Sequence, residues 1–178
     1  MNEILEKPGA PAFPGLLEQI AALGEREAVT VTAGHADLGP GLWLSCDPAG
    51  QAVMGCHPAG AGFRLTVGDG DSGAWACLGM RLPPETLGRG RYLGVLSETE
   101  SGALVSFAPS LRYHLEDGMR DVAPPEPVVL PSGRRTQLAH IPIDPALQAR
   151  AGSCELNLFF HAGQVDMLFL RLEPLLIR

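Results

Sequence analysis

The chain has 178 residues, 46% of them apolar, and a formal net charge of −7. That length holds one domain, or one domain with an arm. The negative charge, with no run of Lys or Arg, argues against a nucleic-acid binder that follows a phosphate backbone.

Residues 1–27 read as an arm and a short helix. Pro and Gly alternate through Lys7-Pro8-Gly9-Ala10-Pro11-Ala12-Phe13-Pro14-Gly15, which predicts an extended segment, because Pro fixes φ and lacks a donor. Leu16, Ile20 and Leu23 then recur at helical spacing, and Gly24 ends the run. Pro8, Pro11, Phe13 and Pro14 are the arm residues expected to hook a neighbouring subunit. The alternative is a flap over the chain's own sheet. A mean hydropathy of +0.11 adds to the expectation of a homo- or hetero-oligomer that covers apolar surface.

Residues 28–178 read as one all-β domain, with strands expected at 28–32, 41–46, 63–67, 74–81, 91–97, 103–108, 111–116, 126–130, 136–143, 153–160 and 165–173. Turn chemistry separates them, as at Asp47-Pro48-Ala49-Gly50 and Pro131-Ser132-Gly133. Alternation assigns faces: Phe63, Leu65 and Val67 inward with Arg64 and Thr66 outward; Leu111, Tyr113 and Leu115 inward with Arg112, His114 and Glu116 outward. Residues 118–135, rich in Pro, read as a long surface loop or edge strand. The last two strands read as a hairpin across a four-residue turn, His161-Ala162-Gly163-Gln164, with Leu168, Leu170 and Leu172 on one buried face. About ten strands at this spacing predict an antiparallel two-sheet sandwich or jelly roll.

Leu156-Asn157-Leu158-Phe159-Phe160, a tight turn, and Val165 through Pro174 resemble the closing hairpin of galactose-binding-like jelly rolls, the β-sandwiches of many carbohydrate-binding modules. The resemblance covers about residues 40–175 in strand rhythm and is specific only in the last 25 or so. It implies a jelly-roll fold. It departs from those modules in having few aromatics and a weak calcium signal.

The chemistry-bearing residues are sparse. Trp43, between Leu42 and Leu44, should face away from the core, where an indole stacks on a sugar ring or plugs a partner's pocket; the alternative is a Trp43 covered by the arm near Phe13. Arg64, Arg112 and His114 are expected to share its outer face, where two guanidiniums would hold an acidic sugar or a partner carboxylate. Asp69 and Asp71 open the rhythm of a calcium loop, against the reading of a tight turn. Gly70-Asp71-Ser72-Gly73 resembles the nucleophile loop of chymotrypsin-like proteases, yet only 36 residues separate Ser72 from His35. No catalytic residue is therefore assigned, and a small hydrolase using Ser72 is kept only as an alternative. Cys46, Cys56, Cys77 and Cys154 read as buried reduced thiols, with a Cys46–Cys56 disulfide and a zinc set of Cys46, Cys56, His57 and His35 as alternatives.

No run of about 18 apolar residues occurs, so no spanning helix is expected. The first eight residues lack the regions of a signal peptide, which predicts synthesis in the cytoplasm. Together these readings predict a non-catalytic attachment module, with no cofactor beyond a candidate calcium. It would be a subunit of a larger assembly, such as the spike or appendage of a phage-like particle (a gene transfer agent head spike, for instance), touching cell-surface polysaccharide. A stand-alone carbohydrate-binding module is the alternative.

Overall fold

In the computed structural model, which describes residues 10–68, 75–160 and 164–178, strand-forming runs dominate. The elements in chain order are α1 (Pro14–Ala22), β1 (Val29–Thr32), β2 (Gly34–Gly39), β3 (Leu42–Cys46), β4 (Val53–Pro58), β5 (Phe63–Val67), β6 (Ala76–Leu82), α2 (Pro84–Leu87), β7 (Tyr92–Ser101), β8 (Val105–Leu115), β9 (Gly118–Val122), β10 (Val128–Leu130), β11 (Gly133–Pro142), α3 (Pro145–Arg150), β12 (Ser153–Phe160) and β13 (Val165–Ile177). Two antiparallel sheets face each other as a jelly-roll β-sandwich. One runs β1-β4-β5-β13-β7-β11. The other runs β10-β8-β12-β6-β3-β2, with β9 added along β8.

Alternation builds the core. Leu42 and Leu44 of β3, Leu78 and Met80 of β6, and Leu156 and Leu158 of β12 point inward. Opposite them lie Leu65 of β5, Leu93 and Val95 of β7, and Met167 and Phe169 of β13. Phe63 and Phe169 stack with ring centroids 5.0 Å apart and planes 13° from parallel. Side chains of this kind each contribute roughly 1.5–3 kcal/mol on full burial. The inward and outward assignments for β5 hold, as do those for Leu111, Tyr113, Arg112 and His114 of β8.

The closing hairpin is not a hairpin. β12 pairs with β6 and β8 in one sheet, and β13 with β5 and β7 in the other, so the two consecutive strands lie in opposite layers. Three of the four turn residues, 161–163, fall outside the described residues. The inward set of β13 also differs from expectation. Val165, Met167 and Phe169 are buried, Leu168 and Leu170 are only half-buried, and Leu172 and Pro174 turn inward again. A register shift between Phe169 and Arg171 inserts one residue and reverses the parity, as a β-bulge does. Residues 103–108 and 111–116 join into the single strand β8. β2, β4, α2 and α3 were not anticipated, and the Pro-rich stretch 118–135 supplies two edge strands, β9 and β10.

The arm's end packs on its own chain. Phe13 is 3% exposed and joins Leu16, Ile20 and Leu23 in the sandwich core. Phe13 is therefore not available to hook a neighbour, because its burial is already satisfied within the fold. Pro11 and Pro14 are exposed, with Pro14 opening α1, where a missing N–H leaves no bond unmade. Pro8 lies outside the described residues.

All four cysteines are buried free thiols. Burial pushes the Cys56 thiol up to about 12 and the Cys154 thiol up to about 11. Cys46 and Cys56 sit on strands of opposite sheets, β3 and β4, and are not bridged.

A candidate ligand cleft on the outer face of one sheet

The outward residues of the seven-stranded sheet come into line because its strands are in register. Asp37, Trp43, Gly79, Asn157 and Ser110 form one row across β2, β3, β6, β12 and β8. The adjacent row is His35, Ser45, Cys77, Phe159 and Ala108. Arg81, Glu155, Arg112 and Asp121 form the row on the other side.

Over these rows lies a cleft of about 320 Å³. Its walls are aromatic: Trp43, Trp75 and Phe159. Trp43 lies against Gly79, where a Cβ would stand only 2.1 Å from the indole, so only glycine leaves room for the ring. The imidazole of His35 lies 6.0 Å from it, tilted by 34°. His35 is held in turn by Ser45 Oγ at 3.0 Å and Asp37 Oδ1 at 3.1 Å. Trp75 meets Phe159 edge-on, 6.0 Å between centroids at 89°. The Arg112 guanidinium stands over the Phe159 ring, 6.0 Å from its centroid.

The polar part of the cleft is Arg112, Glu155 and Asn157. Arg112 donates to both carboxylate oxygens of Asp121 at 2.8 Å, a bidentate pair that fixes the planar guanidinium. That hydrogen bond, ahead of burial, which opposes it, holds Arg112 still more firmly protonated. Glu155 Oε1 lies 3.0 Å from His114 Nε2, at ion-pair distance without hydrogen-bond alignment.

At the floor, the Cys77 thiol donates to Asn157 Oδ1 at 3.4 Å, and burial raises that thiol far above its ordinary pKa. Asn157 is only 2% exposed although its strand position points out of the sandwich. Its other amide atom, Nδ2, has no partner. A buried donor left unmatched costs about 1–3 kcal/mol, and native folds hold few of them.

Of the residues expected from sequence, the structure brings Trp43 and Arg112 into the cleft, and His114 beside it through Glu155. Arg64 is elsewhere. It projects from β5 on the opposite sheet and pairs with Asp166 at 2.5 Å, so the expected shared face does not include it. Alternation told in from out on β3, β5 and β8 but not which sheet a strand joins. Asp69, Asp71 and Ser72, the calcium and nucleophile candidates, lie outside the described residues. Among the described residues no three His, Cys, Asp or Glu side chains gather as a metal site. The zinc candidates are apart: His57 faces Thr66 at 3.3 Å, while His35 holds Ser45 and Asp37. Trp75, Cys77, Glu155, Asn157 and Phe159 are not among the site residues expected from sequence. Asn157 and Phe159 are the outward partners of Leu156, Leu158 and Phe160 on one strand, and that alternation was the available signal.

The sequence matches no protein-family model and no curated protein. Solved structures of similar fold do exist. The CBM22-1 xylan-binding domain from Paenibacillus barcinonensis Xyn10C aligns over 84% of this chain and 94% of its own, at 9% identity and a TM-score of 0.52. A family 11 carbohydrate-binding module from Clostridium thermocellum covers 83% and 97% at 10% identity, with a TM-score of 0.49. The bacteriophage CBA120 tailspike protein 4 covers 94% of this chain and 21% of its own at 13% identity, with a TM-score of 0.45. The first of these shares the β-sandwich fold of this chain. At such low identity the likeness is one of fold, and function has to be argued from the site.

Proposed function

We propose that the protein is a non-catalytic carbohydrate-binding module that holds a glycan in the cleft of the seven-stranded sheet. The observation that carries this reading is the arrangement of three aromatic side chains, Trp43, Trp75 and Phe159, around a buried polar floor. Apolar sugar faces stack on such rings, and equatorial hydroxyls meet polar groups such as Arg112 and Glu155. The fold shared with a xylan-binding domain supports the reading without naming a sugar for this chain. A glycan array followed by titration calorimetry tests it. At least one glycan should bind, and Trp43→Ala should weaken that binding tenfold or more. An array blank for the intact protein overturns the proposal.

A second reading makes the module a subunit of a larger assembly, and its finest form is a spike or appendage of a phage-like particle, made in the cytoplasm and released with the particle. What favours an assembly is the outer face of the other sheet, where Tyr92 is 40% exposed, Leu138 48% exposed, and Leu96, Leu175 and Ile177 are half-buried away from the core. Light scattering on the eluting protein tests it, and a clean monomer at high concentration removes this reading.

A further inference from the structure

The charged residues beside the aromatic rings fall on one line. Arg81 of β6, Glu155 of β12, Arg112 of β8 and Asp121 of β9 stand opposite one another on neighbouring strands, so positive and negative alternate along the row. Glu155 and Arg112 line the cleft, and Asp121 stands outside the lining. We infer that Asp121 is a specificity-determining residue, which cancels the charge of Arg112 and so keeps acidic glycans out of a cleft that takes uncharged ones. The inference rests on the glycan reading above and narrows it to a ligand class.

An acidic sugar needs a cation that is free to pair with it. A carboxylate drawn out of water loses more than its contacts return unless a charged donor meets it. The sequence alone suggests Arg64 and Arg112 for that task. Arg64 is on the other sheet. Arg112 already uses its fork, since Nε and Nη2 donate to the two oxygens of Asp121 at 2.8 Å. A guanidinium held in this way attracts a second carboxylate only weakly, because the first anion offsets its field.

Glu155 pushes in the same direction. Its carboxylate lies in the lining, and His114 stands 3.0 Å from it without hydrogen-bond alignment. A uronic carboxylate placed between Arg112 and Glu155 meets a cation already shared and an anion that repels it. At the Trp43 end the Asp37 carboxylate, held by His35, adds a further anion. An uncharged hydroxyl meets no such penalty. It donates to Glu155 or accepts from Arg112 Nη1, which the pair with Asp121 leaves over, while the sugar faces stack on the rings.

Asp121 is placed to control this balance. It sits on β9, a strand laid along β8, and its side chain is 43% exposed, so its charge can be removed without opening the core. Asp121→Asn nearly keeps the shape and leaves the row with one positive charge in excess, on a residue that lines the cleft.

The test uses the intact protein and two matched pairs of oligosaccharides. One pair is a cello-oligosaccharide and the β-1,4-glucuronic acid oligosaccharide of equal length; the other is a β-1,4-manno-oligosaccharide and its mannuronic acid counterpart. Within a pair the members differ only in a hydroxymethyl against a carboxylate. Calorimetry should show the neutral member of at least one pair binding about tenfold or more tightly than the acidic one. Asp121→Asn should narrow that ratio roughly threefold or more by strengthening the acidic member, and Asp121→Glu should retain it. An Asp121 that serves the fold alone would weaken both members alike, and a ratio unchanged in Asp121→Asn overturns the inference. So does an acidic member that binds the unmodified protein as tightly as its neutral partner. Absence of binding in both pairs overturns it as well, and only a blank wider array removes the glycan reading with it. If Asp121→Asn fails to fold, Glu155→Gln leaves the row with the same excess of one positive charge. It should narrow the ratio likewise, and an unchanged ratio there also overturns the inference.

Discussion

On the seven-stranded sheet the outward residues Trp43, Cys77, Asn157 and Phe159 gather into a cleft, with an amide group buried and half unpaired. On the six-stranded sheet the outward charges pair among themselves: Arg64 with Asp166, Arg134 with Glu98, and Arg171 with Glu173. Both faces arise from the same two-residue alternation. The six-stranded sheet presents exposed ion pairs, whereas the seven-stranded sheet gathers three aromatic rings around a concavity, the shape that ligand sites favour.

Two glycines sharpen the comparison. Each lies under a large side chain on its own outer face. A Cβ at Gly79 would stand 2.1 Å from the Trp43 ring, and a Cβ at Gly94 would stand 2.6 Å from Leu175 Cδ1. The indole is a rigid bicycle, whereas the end of Leu175 can swing away. Gly79→Ala should therefore displace Trp43, abolish glycan binding at the concentrations where the parent saturates, and cost about 1–3 kcal/mol by overpacking. Gly94→Ala should leave binding unchanged and cost less than about 1 kcal/mol. Calorimetry with a denaturant melt of each reads both effects, and equal losses of binding would break the contrast.

The next largest effect is expected at Asn157. Asn157→Leu removes a buried unmatched donor and, with it, the weak acceptor of the Cys77 thiol, so the protein should be no less stable, or more stable by up to about 2 kcal/mol. A chemical-denaturation midpoint that falls sharply would show that the amide serves the fold instead. The charge pairs should rank below. Arg112→Ala breaks a half-buried bidentate pair and removes the cation from Phe159, and it should cost about 1–2 kcal/mol and weaken binding several-fold. Arg64→Ala breaks an exposed pair and should stay within about 0.5 kcal/mol, because such pairs are screened by water.

The smallest expected effect is alkaline. Burial lifts the Cys56 thiol from 9.0 to about 12 and the Cys154 thiol to about 11. It also lifts the Tyr113 hydroxyl from 10.0 to about 12. Well below pH 9 these groups hold their protons in both folded and unfolded chains and contribute almost no pH dependence. Between about pH 9 and 12 the unfolded chain releases protons that the folded chain keeps, so stability should fall as pH rises through that window. Melting temperatures at pH 8 and pH 10 check the sign. A thiol reagent at pH 8 should label none of the four cysteines until denaturant is added.

Most strands were legible in the residues, β2 and β4 excepted. Phe63, Leu65 and Val67 announced their face, and so did Leu111 and Tyr113. The bulge after Phe169 was not legible, because an inserted residue looks like any other until its partner strand is known. The pairing of β12 and β13 with different strands was hidden for a related reason, since a tight connection followed by an alternating run suits a hairpin and a crossing between layers equally. Trp43 could be placed outward from its neighbours alone, whereas Arg64 could not be excluded from its company. The Pro-rich arm left two readings open for Phe13, a hook on a neighbour or a flap on its own sheet, because Pro and Gly report backbone shape and are silent on where the segment docks.

Period-two patterning, set by the pleat of the backbone, let the chain alone determine that it is an all-β protein and which side chains leave β3, β5 and β8 on which face. Which strands become neighbours is a matter of long-range hydrogen bonding and packing, and that decided the rest: Asn157 beside Gly79 with Trp43 laid across it, Arg64 on the far side, and Phe13 in the core. A binding cleft on a sheet is assembled across strands, so its members are distant in the chain, and only the folded register brings them together.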